Sequence, residues 1–280
     1  MNSPKEIAQN YIAIGVAKTR NPVSKTLLLG ILAGMFIALA GVGATIVQAT
    51  LAGTPLASIG RLLGGLVFPT GLMMVLIAGS ELFTGNCLII IPLLQKEIKL
   101  RAMLKNWLLV YLGNFIGSLL IAIITVYGGT YSLLSNSAAV YAIYTAMSKV
   151  NLSFGDALLR GILCNFLVCI AVWVSYSAKD IAGKVVALFL PIMLFIVSGY
   201  EHSIANMYFI PAGLLASINP TYLEAYTAAH GSAGLDSLTW GSMITRNLVP
   251  STIGNIIGGA VLVGMSYWFL FLRKTKNDKA

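Results

Sequence analysis

Apolar residues in this chain gather into long runs separated by short polar stretches. Continuous runs lie near residues 26–49, 106–128, 158–177 and 249–272, and each meets the requirement of about 20 mostly apolar residues for a bilayer-crossing helix. Two further runs, near 62–95 and 183–217, are too long for one straight span. Each is interrupted midway by a polar cluster, Ser80-Glu81 with Thr84-Gly85-Asn86 in the first and Tyr200-Glu201-His202-Ser203 with Asn206 in the second. The pattern predicts six crossings, the second and fifth broken. Ahead of them, Ser3-Pro4-Lys5-Glu6 reads as an N-cap, a proline at the first helical position and a capping-box glutamate, with Ile7, Tyr11 and Ile14 following at helical spacing. This predicts an amphipathic helix over 3–20, either lying on the membrane face or acting as a lid over a pore.

Composition narrows the class. The chain is 58% apolar and 10% charged, with a mean hydropathy of +0.86, whereas soluble domains average about 45–50% and about 25%. Its solvent is therefore lipid, and water-soluble enzymes are excluded. A net charge of +9 would suggest a nucleic-acid partner in a soluble chain, but these charges lie between and beside the apolar runs, where they report topology. With the N-terminus inside, fourteen Lys and Arg fall in inner segments and four (Arg61, Lys149, Arg160, Arg246) in outer ones. That asymmetry predicts a multi-pass protein of the inner cell membrane, a single domain over 1–280 with both termini cytoplasmic and a basic tail over 273–280. The first 25 residues mix Lys5, Glu6, Lys18, Arg20 and Lys25 with short apolar patches and do not read as a signal peptide. Cys87, Cys164 and Cys169 sit in apolar stretches without CxxC spacing, so they read as buried small hydrophobes; no metal or cofactor is expected.

The halves, 26–128 and 150–272, repeat one another. Gly79-Ser80-Glu81 with Asn86 and Gly199-Tyr200-Glu201 with Asn206 both read G-x-E-x4-N at an offset of 120. Lys105-Asn106 with Gly113-Asn114-Phe115-Ile116-Gly117 matches Arg246-Asn247 with Gly254-Asn255-Ile256-Ile257-Gly258 at an offset of 141, and Gly30-Ile31-Leu32 echoes Gly161-Ile162-Leu163. Three spans per half is an odd number, so the second half must enter the membrane in the opposite sense. Inverted repeats with paired broken helices mark the binding region of transporters and channels. The GxxxG pairs are expected to serve close helix crossing.

Non-helical backbone survives in a bilayer only where it is buried in protein or lines a water-filled cavity, so two breaks point to a pathway. Glu81 and Glu201 would be costly in lipid and read as proton carriers, metal ligands or structural groups. Their symmetric placement favours the structural role, with each carboxylate accepting from amides freed by the unwinding, and Asn86 and Asn206 capping the half-helices that restart. His202 has no symmetric counterpart and faces Thr84 of the other break. It is the candidate hydrogen-bond donor or proton source for a passing solute. Phe68 and Leu72 before the first break, Leu82 and Phe83 inside it, and Phe195 before the second suit either hydrophobic constrictions or ordinary packing. The sequence lacks a Walker A motif, a TVGYG filter, a run of gating arginines and paired Asn-Pro-Ala boxes.

Glu81-Leu82-Phe83-Thr84-Gly85-Asn86 and Gly199-Tyr200-Glu201-His202-Ser203-Ile204-Ala205-Asn206-Met207 resemble the two signature loops of the formate/nitrite transporter family, which includes channels for formate, nitrite and hydrosulfide. The resemblance covers nearly the whole chain. It implies an aquaporin-like six-helix fold and a homopentamer in which each protomer carries its own pore. Under it, Thr84 and His202 match the polar centre of the pore. Phe68, Phe83 and Phe195 match one constriction, and Leu72 and Leu82 the other. Lys149, in the outer loop before the fourth span, and Asn165, within that span, match positions that attract the anion and pass it on.

The function this implies is channel-like passage of small monovalent weak-acid anions, with protonation in the pore. A basic rim would concentrate the anion, and crossing apolar constrictions costs far less for a neutral acid than for an ion. A neutral small-solute facilitator of the aquaporin type is the alternative. An enzyme is not expected, because the repeat already accounts for both glutamates.

Overall fold

The computed structural model describes residues 1–273, and among them every regular element is a helix. In chain order these are α1 (Pro4–Arg20), α2 (Val23–Ala49), α3 (Ala57–Gly79), α4 (Phe83–Leu94), α5 (Leu100–Tyr127), α6 (Ser137–Val150), α7 (Phe154–Ser175), α8 (Ile181–Val197), α9 (Ser203–Ile218), α10 (Pro220–His230) and α11 (Trp240–Phe271). Five of them, α2, α3, α5, α7 and α11, are long and apolar enough to cross a membrane. The interrupted runs become the pairs α3/α4 and α8/α9. Of the basic tail, Lys274, Lys276 and Lys279 lie outside the described residues.

Each break opens on a glycine at positive φ, Gly79 at +86° and Gly199 at +69°, a backbone region that residues with a Cβ enter only at a cost. Beyond them the chain is extended, with Leu82 at φ −106°, ψ 126° and His202 at φ −97°, ψ 109°. Helix resumes immediately at Phe83 and Ser203.

Close glycine crossings hold the scaffold. A Cβ on Gly34 of α2 would stand 2.1 Å from the Asn114 carbonyl oxygen of α5, and one on Gly117 would stand 2.0 Å from the Ile31 oxygen. The second half repeats the arrangement between α7 and α11, where Gly254 meets the Leu158 oxygen at 2.3 Å and Gly258 the Ile162 oxygen at 2.1 Å. Backbones this close leave room for hydrogen only, which is why both helices of each pair carry glycine at the crossing.

One stretch read from sequence as a loop is helical: Lys149 lies in the last turn of α6. Ala138, Ala142, Ala146 and Val150 give α6 one buried face, and Ala142 and Ala146 press on Gly213 of α9. A helix this short and alanine-rich gives no membrane signal in a hydropathy scan.

The N-terminal helix begins as its capping box requires: Ser3 Oγ accepts from the Glu6 N–H (3.3 Å), and the Glu6 carboxylate accepts from the Ser3 N–H (2.6 Å). It is docked into the bundle. Ile7, Ala8 and Tyr11 are buried, and Gly15 lies against Pro92 of α4.

Candidate transport pathway

Unwinding a helix strands its amides, and in both breaks an asparagine from a distant helix takes them up. Asn114 Oδ1 of α5 accepts from the Phe83 N–H at 3.0 Å, while its Nδ2 donates to the carbonyls of Gly30 (2.8 Å) and Glu81 (2.9 Å). Asn255 of α11 does the same for the Ser203 N–H (2.9 Å) and the carbonyls of Gly161 (2.8 Å) and Glu201 (3.0 Å). The carboxylates therefore do not take the freed amides, which corrects the sequence reading. Glu81 instead accepts from Lys18 Nζ (2.9 Å) and Asn86 Nδ2 (2.6 Å), and Glu201 from Lys149 Nζ (2.9 Å), Asn206 Nδ2 (2.6 Å) and Asn247 Nδ2 (3.0 Å). Asn86 and Asn206 cap nothing. Each ties its glutamate to a further asparagine, Asn106 at 2.9 Å or Asn247 at 2.7 Å, and those in turn donate to the carbonyls of Lys18 and Lys149. Buried carboxylates are tolerable because every one has a cation and an amide beside it.

This network also extends the repeat. Lys18 and Lys149 stand 131 residues apart, as do Gly30 and Gly161, and they make the same bond in the same place. The Gly-Ile-Leu echo already carried that register, and continuing it backward would have paired the two lysines. The halves differ in detail, since Lys18 also reaches Asn86 Oδ1 at 3.0 Å, whereas Asn206 Oδ1 is buried without a partner in the structure.

The asymmetric groups meet in the middle. Thr84 Oγ1 lies 3.0 Å from His202 Nε2, with both residues buried. His202 Nδ1 accepts from the Ala205 N–H at 2.9 Å and so caps α9. That bond needs a bare Nδ1, so the neutral ring carries its proton on Nε2 and donates it to Thr84. The threonine hydroxyl hydrogen is thereby left to donate elsewhere. Behind it, the Thr84 carbonyl accepts from Asn165 Nδ2 (3.2 Å) and Cys169 Sγ (3.3 Å), and Asn165 Nδ2 also donates to the Asn255 carbonyl (2.7 Å). Asn165 thus braces the threonine and the second asparagine fork from outside the column.

Three spaces lie end to end along this axis. A vestibule of about 550 Å³ reaches down to Phe195 and His202. The same two residues, with Phe68, Leu72 and Leu82, line a central void of about 10 Å³. Leu72 and Leu82 separate it from a third void of about 20 Å³, closed at its far side by Tyr11 and Lys18. Phe68 meets Phe195 edge to face at 5.7 Å, and Phe195 stacks on the His202 ring at 5.8 Å. A water needs roughly 10–15 Å³ of such space, so the central void is at the lower limit for one water and the void beyond Leu72 and Leu82 has room for about one.

Phe83 does not join the phenylalanine constriction. Extended backbone at Leu82 sends successive side chains to opposite sides; Leu82 enters the column, and the Phe83 ring packs on Tyr111 (5.0 Å) and Trp107 (5.9 Å) of α5. Lys149 lines the vestibule but is committed to Glu201. Sequence reasoning missed Tyr11, whose hydroxyl donates to the Gly85 carbonyl at 3.4 Å from a position 1% exposed. Nothing in its spacing shows that the amphipathic face meets protein and not lipid.

Two broken helices flanking a row of spaces, with buried Thr84 and His202 bonded between apolar side chains, define an integral membrane protein of the channel and transporter class. The formate/nitrite transporter family signature matches residues 5–269, and the chain belongs to that family. It is 39% identical over 277 residues to the formate channel FocA of Escherichia coli (strain K12), covering 98% of this chain and 95% of that one. A probable formate transporter of Methanothermobacter thermautotrophicus is 35% identical, covering 97% of this chain and 98% of its own length. Among solved structures, a pentameric formate channel with formate bound superposes with a TM-score of 0.79 at 35% identity, covering 90% of this chain and 98% of that one. An ion channel of the same family gives 0.80 at 26% identity, covering 94% and 98%.

Proposed function

We propose that this chain is a pentameric inner-membrane channel for formate and similarly small weak-acid anions, with its vestibule outside and α1 at the cytoplasmic end. The row of spaces from vestibule to α1, with His202 lining both the vestibule and the central void and Thr84 bonded to it at 3.0 Å, is the observation that carries the reading. Formate channels among its relatives at 34–39% identity support the substrate, and the pentameric relative supports the assembly. The repeated hydrogen-bond network fits two three-span halves inserted in opposite senses.

An anion arriving from the vestibule must pass Phe195 and enter a space lined with apolar side chains. A bare charge there loses its hydration at a cost of many kcal/mol, whereas a neutral acid gives up only hydrogen bonds. Thr84 offers its hydroxyl hydrogen to the entering carboxylate, and His202 holds Thr84 in that orientation. A neutral ring that gave up its Nε2 proton would be left an imidazolate, so the proton that neutralises the anion comes from water entering through the vestibule. His202, with Nδ1 bonded to the Ala205 amide, keeps its Nε2 proton on Thr84. Phe195, Leu72 and Leu82 must rotate aside for passage, and α1 must yield at Tyr11.

Formate uptake into proteoliposomes at two external pH values, with chloride and glycerol as controls, tests the proposal. Uptake that rises as pH falls, and collapses in Thr84→Val and His202→Phe, is expected. Glycerol entry without formate entry overturns the anion channel, and pH-independent flux unchanged in His202→Phe overturns protonation in the pore.

A further inference from the structure

We infer that the charge which gathers anions at the vestibule is carried by Arg61 and Arg160 and not by Lys149; this rests on the channel reading above. Lys149 Nζ sits 2.9 Å from Glu201, their side chains only 15% and 5% exposed, so the two present a dipole and not a net charge. Lys18 makes the same bond to Glu81 at the opposite end of the column. The repeat thus assigns the lysine–glutamate pair to the architecture of both breaks, including one that has no vestibule.

Arg61 and Arg160 also line the vestibule, and among the described residues neither makes an ion pair. The Arg61 guanidinium passes over the start of the second break, with Nη1 3.6 Å from where a Cβ of Gly199 would stand. Arg160 is an addition to the repeat. Its carbonyl accepts from the Glu201 N–H as the Leu29 carbonyl does from Glu81, so the first half has leucine where the second has a free guanidinium. At the far void the lining holds one cation, Lys18, and that one is paired. With Lys149 and Glu201 cancelling, the vestibule keeps two positive charges.

Their effect follows from Coulomb's law. A space of 550 Å³ is about 10 Å across, and two charges at about that distance raise a monovalent anion roughly threefold at ~10 mM ionic strength and about 1.5-fold at ~150 mM. A dianion is raised by the square of the same factor, roughly eightfold at low salt. The constriction bars it from following, so it collects where the permeant anion must pass.

The test is initial formate uptake by the full-length protein in proteoliposomes, at subsaturating formate, over ~10–150 mM ionic strength, with sulfate as the non-permeant probe. Arg61→Gln/Arg160→Gln is expected to lose about threefold in rate at low salt, with little change at high salt, and to lose inhibition by sulfate. Lys149→Met/Glu201→Gln should keep the salt dependence and the sulfate inhibition. Wild-type salt dependence in the arginine variant, or its loss in the lysine–glutamate variant, overturns the inference while leaving the channel standing. No formate uptake by the wild type at any salt concentration overturns the channel reading itself.

Discussion

Replacing Lys149 by methionine keeps a side chain of similar length, removes the ammonium that stands 5.7 Å over the Phe209 ring, and takes one charge from a buried pair. Glu201 would remain 4% exposed, its donors reduced to Asn206 Nδ2 at 2.6 Å and Asn247 Nδ2 at 3.0 Å. Two unit charges about 4 Å apart interact by roughly 4 kcal/mol at an effective dielectric near 20, and removing one partner of a buried pair costs about 3–5 kcal/mol. The lysine retains some water access, which places Lys149→Met near the lower bound, about 3 kcal/mol. In Lys149→Met/Glu201→Gln no charge is stranded, and the glutamine oxygen still accepts from both asparagines. That double variant should fall within about 1 kcal/mol of the wild type, so adding Glu201→Gln should recover roughly 2 kcal/mol of what Lys149→Met loses. Unfolding in mixed detergent micelles, followed through tryptophan fluorescence, measures all three. Lys149→Met as stable as the wild type, or a double variant no better than the single, would refute the structural role assigned to the lysine.

Asn114→Ala and Asn255→Ala each strand one amide and two carbonyls; at about 1–3 kcal/mol for an unsatisfied buried group, tempered by the ~0.6 kcal/mol average for hydrogen bonds in membranes, each should lose roughly 2–5 kcal/mol in the same unfolding assay, and by nearly equal amounts. Gly34→Ala forces a methyl onto the Asn114 carbonyl oxygen and should cost more than the about 1–3 kcal/mol typical of an overpacked core, read as a lowered thermal midpoint, because backbone and not a rotamer must yield. The hydrogen bond from the Ser3 N–H holds the Glu6 carboxyl below its ordinary range. The cap on α1 is therefore fully present above the unfolded-state value and lost as pH falls through the lowered one, so the protection of α1 amides relative to their intrinsic exchange rates should fall at acid pH, and Glu6→Gln should abolish that acid dependence. Cys87, Cys164 and Cys169 are fully buried and should resist maleimide in the folded protein and react once it is unfolded in detergent.

Phe68, Leu72, Leu82 and Phe195 line one void; the sequence marked them because each lies in or near a break, and backbone that unwinds inside a membrane must face a cavity or the protein interior. Thr84 and His202 were legible as candidates because both are polar, both lie in a break, and neither has a like residue at the matching place in the other half. Phe83 was not, since which side of an extended segment a ring takes depends on its neighbours, here Tyr111 and Trp107. Asn165 was legible as a pore residue only through the family resemblance, and its geometry makes it a brace for the Thr84 carbonyl.

The sequence by itself determined the apolar runs, their two interruptions, the repeat and the chemistry at each break. These are consequences of lipid as a solvent acting on short stretches of chain, and a hydropathy pattern records them directly. The tertiary structure alone decided who partners whom: asparagines from distant helices taking the freed amides, lysines neutralising the glutamates, α1 docked on the bundle instead of on lipid, and Arg61 and Arg160 lining the vestibule and, among the described residues, in no ion pair. Those outcomes depend on groups brought together across the chain, and an amphipathic face or a lone charge looks the same in sequence whether it meets water, lipid or protein.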